Sequence, residues 1–340
     1  MKGIFLSVLF LAALVCAQNG RVIGYLPNWA QYSQFTPADI RYNLLTEIRY
    51  GYVVPSGSEF SFADDGKAVF LDLVKRAKAA RVKIMVSVGG LGNEAAMSDA
   101  YSNSSNFVKA AVAFKKEYGI DGFELDGGAI DASGAKSLVK LANSLASEGI
   151  PVSIAVPGET ALASALGDVS KLDAVSLWFT DGASANESSV KPNSDNAFNA
   201  RVLSAFASAG VASDKLIAIV PFYGKTFYKA KGLGSSHSGT GSGNEGVLPY
   251  KSIMEKFNKK SAYEVSFDES SKSEVAISSE ESIVFNGIPS MQAIAKEVKD
   301  KGYGGIAVFD LSGDRKEPIV SLLVTIGQVL RPEIDYKKKK

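Results

Sequence analysis

Between residues 21 and 330 eight short apolar runs alternate with stretches of helical spacing. The apolar runs span 21–25, 44–54, 82–88, 120–125, 151–157, 172–181, 215–223 and 304–311. The run at 82–88 is near-continuous in its apolar character, as a strand covered on both faces has to be. Residues 69–80, 107–118, 135–148, 197–209, 290–301 and 319–330 read as helices, and Pro289 is a start signal for one of them. Such alternation builds a parallel sheet with helices against its faces. A closed (β/α)8 barrel and an open doubly wound sheet both satisfy it, and periodicity alone does not separate them.

Between Phe227 and Val284 the alternation breaks. A Gly/Ser-rich loop at 232–246 leads into a helical stretch at 250–257, then strand-like stretches at 263–267 and 282–286. This reads as an α+β insertion, residues 228–284, dividing a main domain of residues 18–227 and 285–335. Residues 336–340 form a basic tail.

Residues 1–17 read as a secretory signal: Lys2 is the charged start, 4–15 the apolar stretch, and Val15-Cys16-Ala17 a small-residue cleavage site. No apolar run is long enough for a membrane span. Secretion is therefore the expected localisation. Cys16 is the only cysteine, so the mature chain would lean on its core rather than on disulfides. Asn103-Ser104-Ser105 and Asn186-Glu187-Ser188 are glycosylation sequons.

Charge and residue supply exclude several functions. Without Lys2, 36 basic residues face 36 acidic ones, and Lys337, Lys338, Lys339 and Lys340 hold four of the basic charges. A near-neutral body gives no support for nucleic-acid binding. The lysine tail is a solvated end or a contact for an acidic polymer. The sole histidine, His237, lies in the Gly/Ser loop, so a Ser-His-Asp or Cys-His centre and a zinc site are not expected, nor is a cofactor.

The most informative stretch is 118–130. Gly119 breaks a helical run, and 120–125 then alternates as a strand does. Glu124, Asp126 and position 128 share one face. That pattern suits a buried strand with acids at its solvent end, and equally the floor of a carbohydrate site.

Asp121-Gly122-Phe123-Glu124-Leu125-Asp126-Gly127-Gly128 resembles the strand-4 signature of glycoside hydrolase family 18, the chitinases, Asp-Gly-x-Asp-x-Asp-x-Glu. Other stretches resemble the family in order: Gly24 to Trp29 at strand 1, Tyr50-Gly51-Tyr52 at strand 2, Ser87-Val88-Gly89-Gly90 at strand 3 and Ala155-Val156-Pro157 at strand 5. The resemblance implies a (β/α)8 TIM barrel with a small α+β insertion between strands 7 and 8, and a cleft for chitin-type or other amino-sugar glycans. It also implies a substrate-assisted mechanism, in which a Glu protonates the glycosidic oxygen and an Asp two residues earlier orients the acetamido group.

In this chain the acid position is Gly128, which has no side chain. The orienting position is Asp126, and the inner Asp is Glu124. Strand 6, Met-x-Tyr-Asp in the family, is Trp178-Phe179-Thr180-Asp181; strand 8, Met-x-Trp, is Ala307-Val308-Phe309; and Leu91 stands where a Trp often follows Gly90. The resemblance thus implies a pseudo-chitinase with no catalytic residue, whose remnants are Glu124, Asp126 and Asp181. Tyr25, Tyr52, Asp126, Trp178, Asp181, Tyr223 and Phe309 are the expected carbohydrate-binding residues, or rings that simply pack the barrel mouth. Glu159, after strand 5, is the outside candidate for a relocated acid. Trp178 is expected to turn inward and fill part of the old pocket, with its N–H on Asp126 or Asp181. The function expected is that of a saccharide-binding lectin. The alternatives are a protein-binding inhibitor or signalling factor, and a glycosidase with a relocated acid.

Overall fold

The structure, a computed structural model, describes residues 20–63, 66–258 and 262–336. The signal-like segment and the lysine tail lie outside these residues. Eight parallel strands form the centre: β1 (Arg21–Pro27), β2 (Glu47–Ser56), β3 (Lys83–Gly89), β4 (Gly122–Asp126), β5 (Val152–Pro157), β6 (Ala174–Trp178), β7 (Leu216–Pro221) and β8 (Gly305–Phe309). β1 is hydrogen-bonded on one side to β8, with Ile23 beside Ala307, and on the other to β2, with Gly24 beside Ile48. The sheet therefore closes, which settles the choice that periodicity left open: the fold is a (β/α)8 barrel.

The strands' outward side chains, such as Val86, Phe123 and Ile154, meet the helices in one continuous core. Burying that surface is the main force holding the barrel together. Helix α1 (Gly66–Ala80) turns Phe70, Leu73 and Ala77 inward, α2 is Glu94–Ser102, and α3 (Ser104–Tyr118) buries Phe107, Ala111 and Phe114. Gly119 ends α3 with φ 63° and ψ 39°, a left-handed cap that suits glycine. Helix α4 (Ala132–Ala146) opens on Asp131, whose carboxylate accepts from the N–H groups of Ser133 and Gly134, and α5 (Asn196–Ser208) opens on Asp195 in the same way.

Inside the barrel a small apolar layer of Ile23, Tyr25, Ala155, Ala174, Ile217, Ile219 and Ala307 fills the lumen. After β7 the chain enters a second, antiparallel sheet built from Tyr223–Tyr228, Val247–Pro249, Glu264–Asp268, Ser273–Ile277 and Glu281–Phe285. Helix α6 (Tyr250–Asn258) precedes its third strand. Helix α7 (Ile288–Asp300) then leads to β8, and α8 (Leu322–Leu330) closes the barrel.

Several element ends differ from the sequence expectation. β6 stops at Trp178 instead of running to 181, because the backbone turns at Asp181 with φ 58°. β7 stops at Pro221, and Tyr223 already belongs to the second sheet. The strand Glu59–Phe62, paired with β2, and helix α2 carry no periodic signal long enough to read. Both sequon asparagines, Asn103 and Asn186, are exposed. Among the described residues no helix is long and apolar enough to cross a membrane.

Candidate functional site

A cavity of about 860 Å³ opens at the C-terminal ends of the barrel strands, the end where barrels of this kind carry their sites. Its floor is made by the end of β4, where Asp126 is 2% exposed. Trp178 and Phe309, from β6 and β8, stand beside it with ring centroids 5.0 Å apart in an edge-to-face arrangement. Asp126 accepts a hydrogen bond from the Gly128 N–H at 3.0 Å. Burial pushes its carboxyl up to about 7, the negative charge of Glu124 adds to this, and the Gly128 N–H, the Tyr52 hydroxyl and the Trp178 indole oppose it. The expected inward turn of Trp178 towards Asp126 is thus what the geometry contains, and an open cavity remains above it.

Of the residues expected at the site, Tyr52, Asp126, Trp178, Asp181 and Phe309 line the cavity, as do Gly128 and Glu159. Asp181 is held by the Tyr223 hydroxyl, which donates to Oδ2 at 2.6 Å, and by Lys225 Nζ, 2.6 Å from Oδ1. Tyr223 acts through that bond and is not part of the cavity wall.

Tyr25 must be reassigned. It is fully buried below Trp178 and Phe309, at centroid distances of 5.6 and 5.5 Å, and its hydroxyl donates to Glu124 Oε1 at 2.6 Å. No ligand in the cavity can stack on it. Glu124 is likewise sealed in the lumen. It forms an ion pair with Arg49 and accepts from Ser87 Oγ at 3.0 Å.

Arg49 was not singled out in the sequence, yet it organises the lumen. Nε donates to Glu47 Oε1 at 2.8 Å, and Nη1 donates to the Ser176 hydroxyl at 2.8 Å and the Tyr25 hydroxyl at 3.1 Å. Glu47 Oε2 lies 3.4 Å from Lys83 Nζ, and Lys83 and Arg21 both reach Asp173 at 3.0 Å. A chain of opposite charges therefore runs from the N-terminal end of the barrel to the underside of the cavity floor. The signal was present: Glu47 and Arg49 are two apart in an otherwise apolar run, so both point into the lumen.

Two aromatic residues at the mouth were also missed. Trp29 is 44% exposed and stacks on Tyr52 at 6.1 Å with 22° between the rings; Phe198, on α5, also lines the cavity. Trp29 sits in the loop after β1, where its type alone pointed to a ligand surface. Phe198 lay inside a helical pattern that gave no reason to look outward.

At position 128 the backbone is left-handed, φ 62°. A Cβ placed there would lie 2.9 Å from Glu94 Oε1 and 3.2 Å from the Gly90 carbonyl. Glu94 starts α2, and its carboxylate accepts from the Gly92 N–H at 3.2 Å. Its own backbone N–H, that of Gly92 and, more weakly, that of Ala129 hold the carboxyl below its ordinary range. Of the two carboxyls beside position 128, Glu94 is thus shifted towards its ionised form, while Asp126 is shifted towards its protonated one.

The model for glycosyl hydrolases family 18 matches residues 21–314. The chain belongs to that family. Endochitinase 1 of Metarhizium robertsii is 27% identical over 351 aligned residues, covering 86% of this chain and 81% of the relative. Chitotriosidase-1 of Mus musculus is 26% identical, covering 91% and 76%. In fold, the chain is similar to a mutant of the second catalytic domain of the Ostrinia furnacalis group II chitinase solved in complex with (NAG)5. There the TM-score is 0.82 at 23% identity, over 93% of this chain and 97% of that one. Within the family's barrel, the cavity walled by Trp29, Tyr52, Trp178 and Phe309 occupies the strand ends.

Proposed function

We propose that this chain binds N-acetylglucosamine-type saccharides in the cleft at the barrel mouth and does not hydrolyse them. The observation that carries the reading is position 128. General acid catalysis needs a proton held within hydrogen-bond reach of the leaving oxygen. Gly128 offers no group, and backbone N–H groups hold the neighbouring Glu94 carboxyl below its ordinary range, away from the protonated form an acid needs. The aromatic walls of Trp29, Trp178 and Phe309 supply faces for sugar rings, and a relative in fold holds (NAG)5.

On this reading the protein is a secreted lectin of a wall, coat or matrix. Its exposed sequons at Asn103 and Asn186 carry glycans, and the lysines 337–340 add salt-sensitive retention on acidic polymers.

Calorimetric titration with chito-oligosaccharides, paired with a release assay on a labelled one, tests the reading. Heat with a defined stoichiometry and no product is the expected result. Turnover at the level of active chitinases would overturn it, and silence in both assays would move the function to a protein partner. A second reading, a glycosidase with a relocated acid, draws on one observation: burial pushes the Asp126 carboxyl up to about 7 where it lines the cavity, with Glu159 as a second carboxyl in the same wall. The release assay on Asp126→Asn and Glu159→Gln separates it, since only that reading has activity to lose.

A further inference from the structure

Five charged residues line the cavity: Asp126, Glu159, Asp181, Asp195 and Lys191. Four are engaged within the protein. Asp181 is matched by Lys225 and the Tyr223 hydroxyl, each at 2.6 Å. Asp195 caps α5 by accepting from the Phe198 N–H at 2.8 Å. Lys191 pairs with Glu187 at 3.0 Å, and Asp126 accepts from the Gly128 N–H. The Glu159 carboxylate is exposed and makes no hydrogen bond or ion pair among the described residues. Its backbone is nonetheless fixed, with the N–H donating to the Pro157 carbonyl at 2.8 Å and the C=O accepting from the Leu162 N–H at 3.1 Å. The end of β5 thus presents one uncompensated carboxylate at a defined place in the wall.

Resting on the saccharide reading above, we infer that the cleft prefers a glucosamine-type oligosaccharide, with free ammonium groups at C2, over its N-acetylated counterpart, and that Glu159 sets this preference. The aromatic wall accepts the apolar face of either sugar and does not discriminate. The group at C2 does. An acetamido group is neutral, and its single N–H offers a carboxylate beside it a hydrogen bond without the attraction of an opposite charge. An ammonium gains Coulomb attraction and a charge-assisted hydrogen bond from the same carboxylate. Since Glu159 is exposed, the gain is that of a solvent-accessible pair, about two- to fivefold in affinity, and it weakens with salt.

The test is calorimetry at low ionic strength and mildly acidic pH, with the glucosamine tetramer and the N-acetylglucosamine tetramer as the two titrants. The wild type is expected to bind the glucosamine tetramer about two- to fivefold more tightly. Glu159→Gln is expected to bring the ratio of affinities to about one, and Glu159→Asp to keep much of the preference. A ratio that stays the same in Glu159→Gln, or a wild type that favours the acetylated tetramer, overturns the inference while the saccharide cleft stands. Failure of both tetramers to bind the wild type overturns the saccharide reading itself.

Discussion

Glu94 and Gly128 share one space beside the cavity, with Glu94 Oε1 2.9 Å from the point where a side chain on residue 128 would begin. The glycine makes room for the carboxylate. The carboxylate, fastened by backbone N–H groups, in turn occupies what a longer residue at 128 would need. Residue 128 carries no side chain, and Glu94 fills the adjoining volume, where the N–H groups of Gly92 and Ala129 reach it and link the loop after β3 to the loop after β4.

Gly128→Glu should consequently fail to create chitinase activity. The left-handed backbone costs a non-glycine residue about 1–2 kcal/mol, and the approach to Glu94 and Gly90 adds to it. A lower melting temperature and no release of label from a chito-oligosaccharide are expected. Combining it with Glu94→Ala relieves the contact but not the backbone strain, so stability should return only in part. Full activity in the single variant would show that the floor rearranges freely.

Arg49→Met should destabilise the barrel by about 3–5 kcal/mol in urea unfolding, because it leaves Glu124 buried without its cation. Adding Glu124→Leu to the same chain should recover only part of that loss, since it removes one of the two carboxylates that Arg49 pairs with and leaves the buried Glu47 with Lys83 at 3.4 Å as its cation. A single-variant loss below about 1 kcal/mol, the range of exposed pairs, would mean that water reaches the lumen.

Asp126 gives a pH dependence with a definite sign. Its folded value, about 7, lies above the ordinary 3.8. Below 3.8 both states hold the proton and its burial carries no charge penalty. Between 3.8 and 7 the folded state retains a proton that the unfolded state has released, so the stability contribution falls as pH rises, and it levels off above 7. Asp126→Asn should therefore gain stability relative to wild type between pH 5 and pH 8, by about 1–3 kcal/mol. Parallel urea curves at the two pH values would contradict it.

Trp29 and Tyr25 should separate binding from folding. Trp29→Ala removes an exposed ring that stacks on Tyr52 and should weaken N-acetylglucosamine tetramer binding by about three- to tenfold, with stability nearly unchanged. Tyr25→Phe removes only the hydroxyl that bonds both Glu124 and Arg49 and should cost about 1–3 kcal/mol of stability while leaving the titration as it was. The reverse pattern would place the ligand deep in the lumen.

The barrel was legible because strand burial writes itself as near-continuous apolar runs, and 82–88, 151–157 and 304–311 are such runs. Closure was not, because it depends on β1 meeting β8, a pairing between residues nearly the whole chain apart. At the site, the acids on β4 followed from strand alternation, but alternation says which face a side chain takes and not how deep it lies. Glu124 and Asp126 share a face, yet one is locked under the floor and the other touches the cavity. Depth was decided by Arg49, whose partner lies 75 residues away in sequence. Tyr25 was misjudged for the same reason: its ring type suited a sugar, while its position on β1 put it one layer too low.

The ion pair beneath the floor bears on how such a protein is recognised at all. An acid at position 124 reads, in a one-dimensional scan, as a relic of glycoside chemistry. In three dimensions it is what keeps a buried guanidinium tolerable, and the barrel would need it if no sugar had ever been cut there. Folding alone is enough to retain that part of the signature, so half a catalytic motif is no measure of how much catalysis survives.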